Sequence, residues 1–448
     1  MKHIFTLIAI LCLPALVKAQ LTTRVVRDSL FIPWEMVFGP DNHIWFTQKN
    51  GYICRLEPQS GHIDTLYQEA NVSIQSEGGM LGMALHPDFT NQPYVYVAYN
   101  YSQGGYKERI VRYGYANNVL QSPQILLDNI AGANFHNGCR LVIVNDKLFI
   151  TTGDATTASI SQDVTSVNGK VLRINLDGSI PADNPITGSP VWSWGHRNAQ
   201  GLFYANGKLY ESEHGPNNDD EINIIEKGRN YGWPDVQGYC NTTAEMAFCN
   251  DSNVVEPLEA WTPTLAVSAI AYYDHPMFPV FQKSLIMATL KDKKLYQLKL
   301  NSAGDDITAV SAIQGVNFDR LRAVCVSPDG RIYISTSNSN ASGTTNRIDK
   351  IVEIYDPSYV PPVGLNNTGT DKKVVVYPNP TSNLLHIYLN GATASTYHIV
   401  DVLGKNILSG RLTKEQNAIN TSTIAAGSYY IQIINENNII ATEAIILQ

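Results

Sequence analysis

Helical periodicity is almost absent from this chain, and so are Cys-x-x-Cys pairs, Cys/His groupings at zinc spacing and, beyond the N-terminal segment, long apolar runs. The missing metal spacing argues against a structural zinc site. No run after Leu13 approaches the roughly 20 apolar residues that span a bilayer as a helix. Charge is also scarce: 16% of the 448 residues are charged against 44% hydrophobic, and the net charge is −8. That balance suits a globular body and argues against a disordered or fibrous chain. An acidic total offers no basic surface for nucleic acid.

The N-terminal stretch MKHIFTLIAILCLPALVKAQ is the exception to the missing apolar runs. Lys2 and His3 precede an apolar run from Ile4 to Leu13, and Val17-Lys18-Ala19 follows. This pattern predicts a secretory signal peptide over residues 1–19, with the mature chain leaving the cytoplasm. Of six cysteines, Cys12 lies in that leader. Cys240 and Cys249 bracket the polar segment NTTAEMAF and are spaced to close a small disulfide in an oxidising compartment. Cys54, Cys139 and Cys325 sit in strand-like runs and read as small buried hydrophobes.

What the chain does have is recurrence. A turn rich in Pro, Asp, Asn or Gly followed by alternating apolar residues appears as GPDNHIWFT at 39, TNQPYVYVAY at 90, VNDKLFITTG at 144, ANGKLYESE at 205, FQKSLIMATL at 281 and SPDGRIYIST at 327. Such turns between alternating runs are hairpin signals. The expectation is an all-β protein in which residues 20–356 form a six-bladed β-propeller, with a sandwich array as the competing architecture. Residues 357–373, within the stretch YDPSYVPPVGLNNTGTDKK, have linker composition. After them, residues 374–448 read as a small C-terminal β-sandwich. The segments YPNPTSNLLHI, DVLGK and AAGSYYIQI resemble, in order, the C-terminal sorting domain of the bacterial type IX secretion pathway. That resemblance implies handling by the type IX machinery and a secreted or cell-surface location, reached through the periplasm.

Three elements of the body are more polar than folding requires. In HNGCRLVIVNDKLFITTGDA, His136 precedes a strand pair and Asp154 follows its return, where a carboxylate can fold back and orient an imidazole for general-base work. In SWGHRNAQGLFYANGKLYESEHGPNNDDEIN, Arg197, Asn198 and Gln200 share a loop region with His196. The Gly215-Pro216 bend stands beside Asp219, Asp220 and Glu221, an oxygen-rich set suited to a hard cation such as calcium. The alternative is a solvated turn. Finally, Lys291, Arg320 and Arg322 are cations spread over distant repeats. With Arg197, at the centre of a ring they would make a positive pocket suited to a compact multi-carboxylate ligand.

The blocks IPWEMVFGPDNHIWFT, GGMLGMALHPDF, GKVLRINLDGSIPADNP, GHRNAQGL, EHGPNNDDEIN, GRNYGWPDVQGY and SPDGRIYIST, from about residue 33 to 337, resemble the soluble quinoprotein glucose dehydrogenases and the related aldose (glucose/sorbosone) dehydrogenases. The resemblance implies pyrroloquinoline quinone (PQQ) and Ca2+ as cofactors. It implies oxidation of the anomeric carbon of an aldose to the lactone, with electrons leaving to an acceptor the sequence does not name. By motif, His136 matches the general base, Asp154 its orienting carboxylate and Arg197 the arginine at the reactive quinone carbonyl. Asn198, Gln200, Lys291, Arg320 and Arg322 match cofactor contacts. Gly215 and Pro216 match carbonyl ligands of the catalytic calcium, and Glu221 and the Tyr231 carbonyl match ligands of a second one. Departures from the glucose-specific members are also present. Glu77 stands where they carry a glutamine near the substrate, His214 replaces a glutamine, and Asn241 replaces an acid of the second calcium site. Their long insertion is shortened to EAWTPTLAVSA, in which Trp261 is a candidate sugar-stacking residue. These departures favour a broader aldose specificity and weaken the case for a dimer. A non-catalytic extracellular binding module and a calcium-dependent lactonase are the rival readings.

Overall fold

The computed structural model describes residues 20–339, 346–359, 374–377, 381, 383–389, 395–401, 404–412, 416–435 and 438–447. The leader expected over residues 1–19 and most of the expected linker lie outside them. Two compact units divide at Tyr359 and Val360. The larger unit is built almost entirely of strands, in six four-stranded sheets. Each recurrence seen in the sequence is the turn and second strand of one sheet: Ile44–Gln48, Tyr94–Ser102, Lys147–Thr152, Lys208–Glu213, Ser284–Thr289 and Ile332–Thr336. Where the turns read Asn-Asp or Asn-Gly, both central residues have positive φ, Asn145 at 48° and Asp146 at 57°, Asn206 at 52° and Gly207 at 74°. That geometry matches the strand twist and fixes hairpin register.

The first strands of the six sheets are Pro33–Phe38, Met80–Leu85, Gly138–Val144, Ala199–Ala205, Val267–Tyr273 and Leu321–Val326. Each packs against the next, and the last packs against the first, so the sheets close on themselves. Backbone hydrogen bonding between the two ends of the unit completes the closure. Thr22–Leu30, before the first sheet, pairs antiparallel with Asp349–Tyr355 and completes the sixth.

Every first strand carries a register shift near its start, at Trp34, Leu81–Gly82, Cys139–Arg140, Gln200, Ser268–Ala269 and Arg322–Ala323. A bulge leaves a backbone N–H without a ladder partner and turns a side chain off the sheet's regular alternation. Three of these N–H groups are satisfied by one device. Glu35 N donates to Thr47 Oγ1 (3.2 Å), Arg140 N to Thr151 Oγ1 (2.9 Å) and Ala323 N to Ser335 Oγ (3.0 Å). The same hydroxyls donate onward to the neighbouring sheet, Thr47 to Leu81 O (2.6 Å), Thr151 to Ala199 O (3.1 Å) and Ser335 to Pro33 O (2.7 Å). Ser212 makes the equivalent onward bond to Ser268 O at 2.5 Å. One hydroxyl thus seals a bulge and ties two sheets.

The smaller unit holds a three-stranded sheet of Val374–Tyr377, Leu384–Leu389 and Gln416–Asn420. Its second sheet has four strands: Asn406–Leu412, Ser395–Val400, Gly427–Asn435 and Asn438–Leu447. Leu385 and Ile387 from the first and Ile399, Ile431 and Ile433 from the second are buried in one shared cluster.

The hydroxyl ties predict that Thr151→Val, which keeps the shape and removes the bond, lowers stability by about 1–3 kcal/mol, because it orphans both the Arg140 N–H and the Ala199 carbonyl. Urea unfolding of the full chain measures this; an unchanged midpoint would contradict the device.

Candidate active site

Strands within each sheet are antiparallel, so the start of every first strand and the end of every second strand open at the same end of the closed ring. His136, Asp154, Arg197, Asn198, Gln200, Lys291, Arg320 and Arg322 lie at or beside those positions, and Asp220 and Glu221 begin the third strand of the fourth sheet. His136 stands two residues before Gly138–Val144, in a left-handed conformation (φ 61°). Its Nδ1 lies 2.7 Å from Asp154 Oδ1, just past the end of Lys147–Thr152. Asp154 is 1% exposed and also accepts from Thr156 N (2.7 Å) and Trp233 Nε1 (2.9 Å). Three N–H donors suit a carboxylate, fix the imidazole tautomer with its proton on Nδ1 and leave Nε2 as the basic atom. Gly153 makes this possible: a Cβ there would lie 1.9 Å from His136 O. Glu77 Oε2 accepts the His136 backbone N–H at 3.0 Å and Asn198 Nδ2 at 3.3 Å, so the residue proposed from sequence as a substrate contact also holds the base's main chain.

Gln200 and Arg322 sit at bulges, and Arg197, Lys291 and Arg320 in the loops beside them. Gln200 Oε1 accepts from Arg322 Nη1 at 2.7 Å across sheets four and six. Asn198 Oδ1 accepts from Gln200 Nε2 (2.9 Å) and Gly138 N (3.2 Å). Arg197 stacks 5.2 Å above Trp233 and donates to His214 O at 3.1 Å. Arg320 donates to Ser337 O (3.1 Å) and reaches Leu290 O (3.5 Å), beside Lys291, whose ammonium rests on Thr264 Oγ1 at 2.7 Å on the exposed rim. Burial lowers the affinity of Arg322 for its proton to a pKa of about 9; Glu77 opposes the shift while Arg140 and Arg320 add to it. Burial likewise pulls Arg197 down against Asp154 and Glu213. At Glu77 burial pushes the carboxyl up, but His214, the His136 N–H and Arg322 outweigh it and hold the group below its ordinary value.

The acidic loop carries its own hydrogen-bond donors. Asp219, Asp220 and Glu221 do not converge on one point, and amide and hydroxyl donors serve all three. Asp220 accepts from Gly215 N (3.0 Å), Ala266 N (2.6 Å) and Val267 N (3.4 Å). Asp219 accepts from Thr262 Oγ1 at 2.8 Å, and Glu221 from Gly238 N (2.9 Å) and Asn223 Nδ2 (3.0 Å). Each acid thus meets its own donors, and none of the three depends on the other two for compensation. A narrow pocket still joins Arg197, Gly215, Pro216, Glu221, Tyr231 and Trp233. Gly215 is required there, since a Cβ would come within 1.9 Å of Asn218 O. Trp261 ends the outermost strand of the fourth sheet, Glu259–Trp261, and packs against a cluster that includes Tyr210, Ile222 and Val267.

Sequence reasoning passed over three residues that the geometry makes central. Glu213 Oε1 accepts the Asn198 N–H at 2.9 Å and also the Arg197 N–H, while its Oε2 meets His196 Nδ1 at 3.0 Å, so it sets the loop carrying Arg197. His196 itself is buried and stacked 4.6 Å from Tyr231, which lines the pocket with Arg197, so it serves as a prop. Trp233 holds Asp154; its signal was available in the block GRNYGWPDVQGY. Lys49, 4% exposed, follows Ile44–Gln48 with no local pattern to mark it.

Residues 30–346 match the family model described as Glucose / Sorbosone dehydrogenase, and residues 375–448 that described as Secretion system C-terminal sorting domain. The chain is 39% identical over 252 residues to quinoprotein glucose dehydrogenase B of Acinetobacter calcoaceticus, a match spanning 48% of this chain and 53% of that enzyme. It is 30% identical over 367 residues to the aldose sugar dehydrogenase YliI of Escherichia coli, covering 76% of this chain and 97% of that one. The structure of the PQQ-bound aldose sugar dehydrogenase from Streptomyces coelicolor superposes with a TM-score of 0.63 at 30% identity, over 75% of this chain and 98% of that one.

Glu221 yields a pH prediction. Burial, then Glu213, pushes its carboxyl up to about 8 from an ordinary 4.5. A raised carboxyl keeps its proton in the native state, so its contribution to stability is complete below pH 4.5 and is lost as pH rises through about 8. Lys49 and Lys170, each lowered to about 7 by burial, act the opposite way above that pH. The readout is therefore the difference between melting curves. Metal-free wild type should lose melting temperature relative to Glu221→Gln between about pH 5 and 8; parallel curves would contradict the assignment.

Proposed function

The chain belongs to the glucose/sorbosone dehydrogenase family, and from that premise we propose that it is a quinone-dependent dehydrogenase oxidising the anomeric carbon of aldoses to the lactone. The chain is an oxidoreductase by family. The proposal concerns its cofactors, substrate and residue roles. We read the six closed sheets as a six-bladed β-propeller over residues 20–356, the segment 357–373 as a linker, and the smaller unit as a β-sandwich. Residues 375–448 are a secretion-system sorting domain. With the leader at 1–19, this supports export through the periplasm by the type IX machinery to a secreted or surface-attached location. Among the described residues no helix is long and apolar enough to cross a membrane.

One observation carries the reading: a part-buried His136, held by the buried Asp154 and through it by Trp233, opens beside cations that outnumber the nearby carboxylates. The side chains present fit an anionic, planar cofactor. Arg197 Nε and Arg322 Nε are buried with unused donor capacity. PQQ is a tricarboxylate, and Lys291, Arg320 and Arg322 would hold its acid groups and a quinone oxygen, with Arg197, Asn198 and Gln200 completing the contacts. The carbonyls of Gly215 and Pro216 would hold one Ca2+, and Glu221 with the Tyr231 carbonyl a second. A carboxyl driven up to about 8 is a group short of positive charge. When bound, the metal-polarised quinone supplies the two-electron oxidant for the sugar.

The protein's own part is proton handling and placement. His136 Nε2 takes the proton of the anomeric hydroxyl, and Asp154 stabilises the imidazolium that results. Trp233 and Thr156 keep Asp154 aligned. Arg197 puts fixed positive charge where negative charge develops, with no reorganisation at the moment of reaction. Glu77 is the candidate substrate contact nearest the base. A non-catalytic binding module would have no use for an oriented imidazole, and a lactonase would need an acid-lined centre where this one is basic.

Apoprotein given PQQ and Ca2+ is expected to reduce a redox dye with a panel of aldoses; no bound-quinone spectrum together with no turnover would end the proposal. His136→Ala should keep the quinone and lose about 10²–10⁴-fold in kcat. Lys291→Ala should mainly weaken quinone retention. The reverse pattern would overturn the role assignment.

A further inference from the structure

Lys49 is a buried cation with no direct ion pair among the described residues. It is 4% exposed, and among the described residues its ammonium has one hydrogen-bond partner, the Ser76 carbonyl. Burial, then Arg322 and Arg320, depress its pKa to about 7, with Glu77 the one nearby group pulling upward. A fold gains little from such a group, since a methionine of similar length would fill the space without desolvating a charge. A residue retained at a cost to stability beside a reactive centre is a candidate for work there.

What it holds is specific. The Lys49 main chain joins two sheets, its N–H donating to Ile32 O (3.1 Å) and its carbonyl accepting from Met80 N (2.9 Å). The segment from Ser76 to Gly79 lies on the lysine stem: Ser76 has φ 45°, and a Cβ at Gly79 would fall 2.6 Å from Lys49 Cγ. Glu77 sits in that segment, tied by its N–H to Asn134 O at 2.9 Å. Its carboxylate in turn takes the His136 N–H at 3.0 Å and Asn198 Nδ2 at 3.3 Å. We propose that Lys49 is a positioning residue of the active site: its ammonium, seated on the Ser76 carbonyl, fixes the turn that carries Glu77 and thereby the backbone of His136. The effect on turnover rests on the dehydrogenase reading above, whereas the effect on the turn does not.

The test is Lys49→Met in the full-length apoprotein, read by hydrogen exchange, followed by reconstitution with PQQ and Ca2+. Backbone amides at Gly78–Met80 and at His136 should exchange at least tenfold faster, with the fourth and fifth sheets unchanged. The melting temperature should hold or rise, the opposite of what loss of a structural residue gives. In the reconstituted enzyme kcat should fall at least tenfold, with KM for the aldose and the quinone Kd within threefold. Lys49→Arg, which keeps a charged donor, should recover both the exchange pattern and kcat to within threefold. Unchanged exchange would overturn the proposal. So would local loosening with an unchanged kcat, or a Lys49→Met chain that unfolds or exchanges faster throughout, since the ammonium would then be structural. Exchange behaving as expected in a protein whose wild type turns over no aldose would refute the functional reading alone.

Discussion

The bulge near the start of each first strand is the constraint on which the rest depends. A regular antiparallel strand alternates its side chains between two faces, and in a ring of packed sheets both faces are taken by neighbours. One extra residue breaks that alternation where the six strands come together. Arg140, Gln200 and Arg322 occupy those extra positions, and Gln200 meets Arg322 from two sheets away. Trp34, the extra residue of the first sheet, lies 4.1 Å from the Arg140 guanidinium and 5.6 Å from that of Arg322. The hydroxyls of Thr47, Thr151 and Ser335 make the irregularity tolerable by satisfying the N–H it strands and passing a hydrogen bond to the next sheet. Fold and site are thus one arrangement: the device that closes the ring also turns polar side chains toward its centre.

Electrostatics divides this end of the ring into two regions. Around His136 the charge is mostly positive, from the buried Lys49 and Arg322, the half-buried Arg197 and the exposed Arg320, with Glu77 and Asp154 committed to holding the base. On the other side of the Gly215-Pro216 bend, buried acids crowd: Glu211 and Glu213 face Asn223 and Glu221 across one strand pair. Burial drives Glu211 far above an ordinary carboxyl, with Glu213 adding to it. A tricarboxylate on one side and a divalent cation at the boundary would relieve both regions, each making the other's binding easier. Arg197 spans the divide, stacked on Trp233 and bonded through its main chain to Glu213.

Much of the architecture was legible because it is local. Turn chemistry at Asn145-Asp146 and Asn206-Gly207 needs no distant partner, and each recurrence marked one second strand. The His136–Asp154 pair was readable for the same reason, since a single hairpin brings the two together. The Ser or Thr one residue before the end of four of those strands, in WFTQ, FITT, YESE and YIST, was visible as well, yet its meaning lies in a carbonyl of another sheet. Lys49 and Glu213 escaped because their partners, Ser76 and the Arg197–Asn198 amides, are set by loops whose course no pattern announces. At 219–221 a left-handed Asp219 (φ 55°) breaks the run, so adjacent acids meet separate donors. Trp261, the candidate sugar-stacking residue, is partly buried against its own sheet and the next.

The central claim is that basic side chains from three sheets meet a histidine base at one end of the ring to hold an anionic quinone beside calcium. A crystal structure of the protein grown with PQQ and Ca2+, with calcium located by anomalous scattering, tests it most directly. The account predicts quinone density between Arg197, Lys291, Arg320 and Arg322, within reach of His136, with a calcium peak at the carbonyls of Gly215 and Pro216. Quinone bound elsewhere, or that space left without cofactor at saturating PQQ, would contradict it.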